Sequence, residues 1–321
     1  MANFIGTPIS WSQEDAAKYF LQPLFISNND LSHFDVMTNI SGSSIKLDKY
    51  ASISGVTKAN GGGSFAAPAA ALSNNTAVTL NLDRLLIESE QGAYALYNHI
   101  KSQLMKQGIS RSDLTGTLLM EIVSELLMGG IMRDFSTILW WGDKTAGAGV
   151  AVQGLSDGIW KACDGVAAVA YTGVVLDDLA DLMTNRSNEL AASEQVMFVS
   201  RAFADQYRKE LTEKSVQGAY QDLQGGIAQL SYNGIPMVVK PDFDVNIATY
   251  GATLSANSPS ATTNTACAIL LAKDAIAIGT DFEVQDVDMW YNRDEQKNRF
   301  RMNYSFGCAL KDDSLVAKIV A

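Results

Sequence analysis

Four carboxylates crowd one short stretch of the chain: Asp281, Glu283, Asp286 and Asp288. Oxygen-rich clusters of this kind can hold a hard cation such as calcium or magnesium. The stretch is strand-like, however, and three of the four side chains can alternate outward along it, which describes a solvated strand face without a metal. The chain has two histidines, His33 and His99. The first sits in a polar segment and the second on an amphipathic helical pattern, with no Cys, His or Asp at metal-ligand spacing. No G-x-S-x-G sequence marks an activated serine. Gly61-Gly62-Gly63 has the composition of a phosphate-binding turn, yet no Gly-Lys-Ser/Thr follows and no helix opens after it. Cys163, Cys267 and Cys308 lie far apart in apolar or strand-like surroundings, the pattern of reduced buried thiols rather than of a disulfide framework. Trp140-Trp141 reads as core or as a contact between subunits, not as a ligand-stacking platform. No catalytic, cofactor-binding or metal site emerges. No enzyme activity and no cofactor are expected.

The 321 residues are 47% hydrophobic and 18% charged, enough to bury a sizeable core as one large or two ordinary domains. No run approaches the ~18 uninterrupted apolar residues of a membrane helix. The N-terminal MANFIGTPISW has neither the basic region nor the apolar core of a secretion signal, so secretion is not expected. A net charge of -11 speaks against a chain whose main task is to grip phosphate.

The elements around these residues follow from periodicity. Residues 1–43 lack a sustained pattern. Ser12, Glu14 and Asp15 open a short helix through Phe20, which Pro23 ends. Phe20, Leu21, Leu24, Phe25, Phe34 and Val36 are too apolar for a tail left in water, so the segment reads as an arm laid across another surface. Residues 44–54 and 76–82 alternate as strands around a tip containing the glycine triplet, Pro68 and a run of alanines, which predicts an extended hairpin. A tip of about 20 residues is long for a compact domain and marks an interaction role. Residues 83–108 are helical in their second half, through Tyr94, Tyr97, Ile100, Leu104 and Met105, with Gly108 as a stop. Leu114 to Trp141 carries the longest apolar stripe, a helix of roughly 40 Å. Gly129-Gly130 in its middle either allows close packing or permits bending.

Beyond it, residues 141–160 form a glycine-rich loop. Helices over 174–192 and 201–214 flank a short buried strand, Gln195 to Ser200. Asn233-Gly234 makes a tight turn before a strand at Met237 to Val239. Residues 250–265 read as a surface loop, and Ala266 to Ala272 as another buried strand. Phe282 to Tyr291 is strand-like, and Asn292 to Lys297 is a charged connection. Then Phe300, Met302, Tyr304, Phe306 and Cys308 fall on one face and Arg299, Arg301, Asn303, Ser305 and Gly307 on the other, the pattern of a half-buried strand. Asp312-Asp313 turns the chain into a last strand, Ser314 to Val320.

This closing order resembles the end of the major capsid proteins of tailed bacteriophages, which have the Hong Kong 97-type fold. Trp141-Gly142-Asp143-Lys144-Thr145 followed by Gly154-Leu155 is similar to the "G-D-G-T … G-L" connection after that family's spine helix. Val196 to Phe203 resembles its "N-P-x-x-W" strand and helix, with Ser200-Arg201 in place of Asn-Pro. Tyr232 to Val239 is similar to "G-L-P-V-V". The resemblance implies an α+β fold with an N-terminal arm over 1–43, an E-loop over 44–82, and a P-domain over 83–160 with its spine helix at about 112–141. An A-domain over 161–280 and closing P-domain strands over 281–321 complete it. It implies contacts between subunits at Lys46, Lys49, Tyr50, Val56, Phe65 and Leu72 of the hairpin, and a bend of the spine helix at Gly129 and Gly130.

The implied function is a shell of hexamers and pentamers around the double-stranded DNA of a tailed phage. The chief partner is the chain itself. A separate scaffolding protein, a portal and decoration proteins are further implied partners. DNA would be touched without sequence preference, and a mildly acidic inner wall would let it slide. The location would be the virion, and the host cytoplasm before assembly, with no membrane. Some family members cross-link Lys to Asn between subunits; Lys46, Lys49 and Lys58 lie in the hairpin, but no motif marks an acceptor or a catalytic carboxylate. An encapsulin-type compartment of the same fold, or a soluble α+β enzyme, are the alternative readings.

Overall fold

A computed structural model describes residues 29–38, 40, 42–50, 75–92, 118–146, 152–213, 230–254, 257–260, 265–281, 287–292, 294–295 and 297–321. In chain order, β1 (Asp35–Met37), β2 (Ser44–Tyr50), β3 (Asn75–Asn81) and β4 (Asp83–Gly92) precede the long helix α1 (Leu118–Trp141). Then come α2 (Ile159–Ala162), β5 (Ala168–Ala170), α3 (Val175–Asn185), α4 (Asn188–Ala192), β6 (Gln195–Ser200), α5 (Arg201–Glu213), β7 (Leu230–Tyr232), β8 (Ile235–Lys240) and α6 (Pro241–Tyr250). The chain closes with β9 (Cys267–Ala272), β10 (Ile276–Asp281), β11 (Val287–Asn292), β12 (Lys297–Leu310) and β13 (Val316–Val320).

Three sheets result. A 5-stranded sheet is organised around β12, which pairs with β10, β11 and β4, while β1 adds to β10. The alternation of β12 places Phe300, Met302, Tyr304 and Phe306 in the core and leaves Arg301 exposed. Helix α1 covers the apolar face: the Phe135 and Phe306 rings meet edge-on at 5.5 Å. The 6-stranded sheet has the order β5-β13-β9-β6-β8-β7. Every residue of β9 is buried, as are Val196 to Ser200 of β6. These are central strands covered on both faces, which is why they read as continuous apolar runs. The third sheet is the 2-stranded hairpin β2–β3.

One hydrophobic core joins the two larger sheets to the C-terminal half of α1. Its centre is aromatic: Trp140 lies 4.9 Å from both Phe198 of β6 and Phe243 of α6, and Trp141 lies 5.4 Å from Phe243. The Trp140 indole donates to the Asp30 carboxylate at 3.2 Å, and Lys240 pairs with the same carboxylate, so a buried acid is satisfied from two sides. Glu210 of α5 accepts from the backbone N–H of Val175 and Leu176 at 2.8 and 2.9 Å, capping the start of α3 from a neighbouring helix. The β7–β8 turn has Asn233 at φ 50 and Gly234 at φ 80, the two left-handed positions that a two-residue hairpin demands.

Several sequence expectations change. Leu31 and Phe34 are buried in this subunit's own core, and β1 pairs in parallel with β10, so residues 29–38 are part of the body rather than an arm on another surface. The helix expected up to Phe20 lies outside the described residues. Residues 83–92 form strand β4; the helical half expected after it is outside the described residues. The segment 241–250, unassigned from sequence, is a helix with Pro at its first turn. Of the strand expected at Phe282 to Tyr291, Val287 to Tyr291 lie in β11, and residues 282–286 lie outside the described residues. The sheets also cross the boundary drawn at residue 281. β10 already belongs to the 5-stranded sheet, and β13 returns to pair with β9 and β5. The chain passes from β9 to β10 through a tight turn with Asp274 at φ 60, so the sheets share a continuous connection rather than a linker.

Candidate functional site

With no catalytic constellation predicted, the surfaces that remain are those an assembly would use. The hairpin is the first. Ile45 faces Leu80 and Leu47 faces Val78 across its two strands, while Lys46 opposite Thr79 and Asp48 opposite Ala77 occupy the other, exposed face. Ile45, Leu47 and Val78 are only half-buried although they are the apolar side of the ribbon. Lys49 and Tyr50 complete β2, opposite Thr76 and Asn75. Val56, Phe65 and Leu72 lie outside the described residues.

The hairpin root is tied to the loop that follows α1. The Asp83 carboxylate accepts from Lys144 at 2.5 Å and from Ser156 at 2.9 Å. That loop is closely folded. Asp143 N–H donates to the Gln153 carbonyl at 2.8 Å and Gly158 N–H to that of Gly142 at 2.9 Å. Added Cβ atoms at Gly142 and Gly158 would fall 2.6 and 2.5 Å from the Ile138 carbonyl oxygen, so both positions need glycine for backbone to meet backbone. The glycine-rich stretch read from sequence is thus a brace that presents Lys144 and Ser156 to the hairpin root.

Gly129 and Gly130 lie within α1 and are exposed, and a Cβ at either would meet nothing within 4 Å among the described residues. They pack closely against no described part of the subunit. Alongside the C-terminal half of α1 runs a groove of about 750 Å³ between that helix and α6, with Met132 and Phe135 on one wall and Val245 and Tyr250 on the other.

The outer face of β12 is charged. Arg301 donates twice to Glu88, at 2.9 and 2.6 Å, and Arg299 to Glu90 at 3.0 Å and to Glu295 at 2.5 Å; Lys297 also pairs with Glu90. Arg301 and Glu88, like Arg299 and Glu90, are directly opposite in the β12–β4 register. Hydrogen bonds from Lys297 and Arg299 hold the Glu90 carboxyl below the usual carboxylate range. Exposed pairs of this kind add little stability each and act mainly in fixing register.

The described residues considered for chemistry form no shared cluster. Among the described residues, no group of three or more His, Cys, Asp or Glu could hold a metal ion. Asp281 ends β10 and Asp288 lies in β11, so these two do not alternate along one strand; Glu283 and Asp286 lie outside the described residues. His33 packs its ring against Phe198 at 5.7 Å, and His99 is outside the described residues. All three cysteines are free. Burial pushes the Cys163 thiol up to about 12 and raises Cys267 and Cys308 as well, which leaves them poor nucleophiles. Sequence reasoning missed Lys318, fully buried in β13, whose ammonium donates to the Cys163 carbonyl at 2.7 Å. Burial lowers its pKa, with Cys163 and Asp164 acting in the opposite direction.

No family model matches the sequence, and no curated protein matches it. Solved structures do. A chain in the satellite phage P4 procapsid, solved with its size determination protein, aligns at a TM-score of 0.54 and 10% identity, covering 94% of this chain and 98% of that one. A Gordonia phage Cozz chain aligns at 0.54 and 10% identity over 90% of this chain and 85% of its own. A chain of the bacteriophage PhiM1 mature capsid aligns at 0.53 and 8% identity over 90% and 86%. The chain therefore has the α+β Hong Kong 97-type capsid fold, at identities where the fold persists and the sequence does not.

Proposed function

We propose that this chain is the major subunit of the icosahedral shell of a tailed phage, assembling as hexamers and pentamers around double-stranded DNA. The observation that carries the reading is the end-to-end likeness to a chain of a phage procapsid, 94% of one chain on 98% of the other. On this reading β2–β3 is the E-loop, α1 the spine helix, and the 6-stranded sheet with its helices the A-domain. The protein works by covering and being covered. Ile45, Leu47 and Val78 pack against the small cluster of Ile40, Leu80, Leu82, Ala277 and Ala309 yet stay half-buried; a neighbouring subunit would cover the rest, and a contact of even a few kcal/mol repeats across a lattice. Lys46, Lys49, Tyr50, Val56, Phe65 and Leu72 are the hairpin positions assigned to that contact. Scaffolding, portal and decoration proteins are the further partners this role calls for, and catalysis has no part in it.

The test is negative-stain electron microscopy and sedimentation of the purified full-length chain, with nucleic acid extracted after nuclease treatment. Closed particles or discrete capsomers are expected, with protected DNA when the shell is recovered from a phage lysate. A monomer or small oligomer at every concentration overturns the shell; closed particles that carry protein cargo and never DNA turn the reading to an encapsulin-type compartment.

A further inference from the structure

Among the described residues, the hairpin β2–β3 meets the body through its root. Ile40, Leu80 and Leu82 form a small apolar cluster with Ala277 and Ala309, separate from the main core. The partners in the sheet are unusual for strands. Ala277 stands directly opposite Ala309, and Gly279 directly opposite Gly307, so all four share one face of the β10–β12 pair. It is the face of β12 opposite the one that carries Phe306, and the same face bears Arg301 and Arg299 further along. At this one patch it has almost no side chains.

Glycine inside a strand marks either a bulge or a close approach of other groups. The β10–β12 register runs unbroken from Ile276–Leu310 to Asp281–Ser305, so there is no bulge. The approach is close: a Cβ at Gly279 would lie 2.8 Å from the methyl ends of Ile40, Leu80 and Leu82 alike, and one at Gly307 only 2.1 Å from the Asn81 carbonyl oxygen. The chain leaves the edge of β12 at Asp83 and crosses directly over Gly307. On the incoming side Gly42 has φ +118 with no described residue within 4 Å of an added Cβ, and the Ser43 carbonyl accepts from Leu82 N–H at 2.8 Å, which closes the root.

We propose that Ala277, Gly279, Gly307 and Ala309 form a cut-out seat that sets the direction in which the hairpin leaves the body. The hairpin and its root then make a separately opening unit, held by this seat and by the Asp83 tether rather than by the main core. An unsupported two-stranded ribbon is marginal in water, so the seat is what keeps it zipped in the subunit. Filling the seat lifts the root without touching the aromatic core on the opposite face. The device belongs to the subunit and stands or falls independently of shell assembly.

Hydrogen exchange followed by mass spectrometry on the full chain tests it, comparing wild type with Gly307→Ala and Gly279→Ala. Gly307→Ala should speed exchange over 44–50 and 75–81 by about tenfold or more, since opening of the unit becomes easier. Gly279→Ala should do less, because methyl ends can yield where a backbone carbonyl cannot. Amides of β6 and β9 should keep their wild-type protection in both. Leu80→Ala, which shrinks the root and inserts nothing into the sheet, should give the same division even if Gly307→Ala does not fold. Unchanged hairpin exchange in Leu80→Ala, or acceleration of β6 and β9 in step with the hairpin, overturns the seat. Particle formation is scored separately and bears only on the shell.

Discussion

The body and the hairpin of this subunit are held by different means. The body centres on edge-to-face aromatics, with Trp140 4.9 Å from both Phe198 and Phe243 and Trp141 5.4 Å from Phe243, in a core that runs through both large sheets. The hairpin root rests on aliphatic tips over alanine and glycine, in a cluster of its own. The first arrangement makes one cooperative unit whose shape cannot drift. The second fixes a direction, and Ile45, Leu47 and Val78, packed against that cluster, stay only half-buried among the described residues. The shell role proposed above would use both, a rigid tile and an arm aimed at the next tile.

The comparison can be broken from the body side first. Trp140→Ala empties the centre of the main core and leaves Asp30 without its indole donor; it should cost about 3–5 kcal/mol in the denaturant midpoint of the whole body. A loss below about 1 kcal/mol would show that the aromatic centre does not hold the sheets together.

The paired change Gly129→Ala and Gly130→Ala acts with the opposite sign. No described residue lies within 4 Å of either added methyl, so helix propensity alone should raise subunit stability by about 1–2 kcal/mol. On the proposed shell role the same protein should form shells poorly, a bend or a neighbour's approach at these glycines being what that role would use. Normal yields of particles from the double variant would remove that role.

Lys318 sharpens the account of the body through pH. Its folded pKa lies below its unfolded one, so the unfolded chain binds more protons between the two values, and stability rises with pH through that window. Below the depressed folded value the full penalty of burying the charge is present. Lys318→Met should flatten this alkaline rise in the melting temperature. A variant that keeps the same slope would assign the rise to another group. The smallest effect belongs to the ladder on the outer face: Glu88→Gln should leave the denaturant midpoint within experimental scatter, since the Arg301–Glu88 pair is exposed on both sides. A clear loss would make the ladder structural.

What sequence conveyed about these regions follows their physics. The alternation of β12 was legible because one face is sealed against α1 and the other meets water and charge. Asn233-Gly234 was legible because few residue pairs adopt two left-handed conformations in succession. β4 was not, since Leu85, Leu86 and Ile87 form a run without a period, and Leu86 is 53% exposed. α6, unassigned from sequence, has Pro241 at its start with Asp242 and Asp244 in the first turn, a helix opening that its weak apolar pattern does not announce. The burial of Leu31 and Phe34 depended on a pairing of β1 with a strand some 240 residues later, which no local pattern announces. The seat was invisible for a related reason: Gly279 and Gly307 look like weak strand positions until their register places them side by side under Leu80 and Leu82.

The central claim is that the body folds alone and the hairpin builds the assembly. Sedimentation velocity with circular dichroism, on wild type beside a chain lacking residues 56–74 and closed by Asn-Gly, tests it most directly. The predicted result is wild-type particles or capsomers, against a deletion variant with an intact spectrum that sediments as a free subunit. Stable, normal-sized shells from the deletion variant would contradict the claim, and a variant that fails to fold would place the hairpin in the subunit's own core.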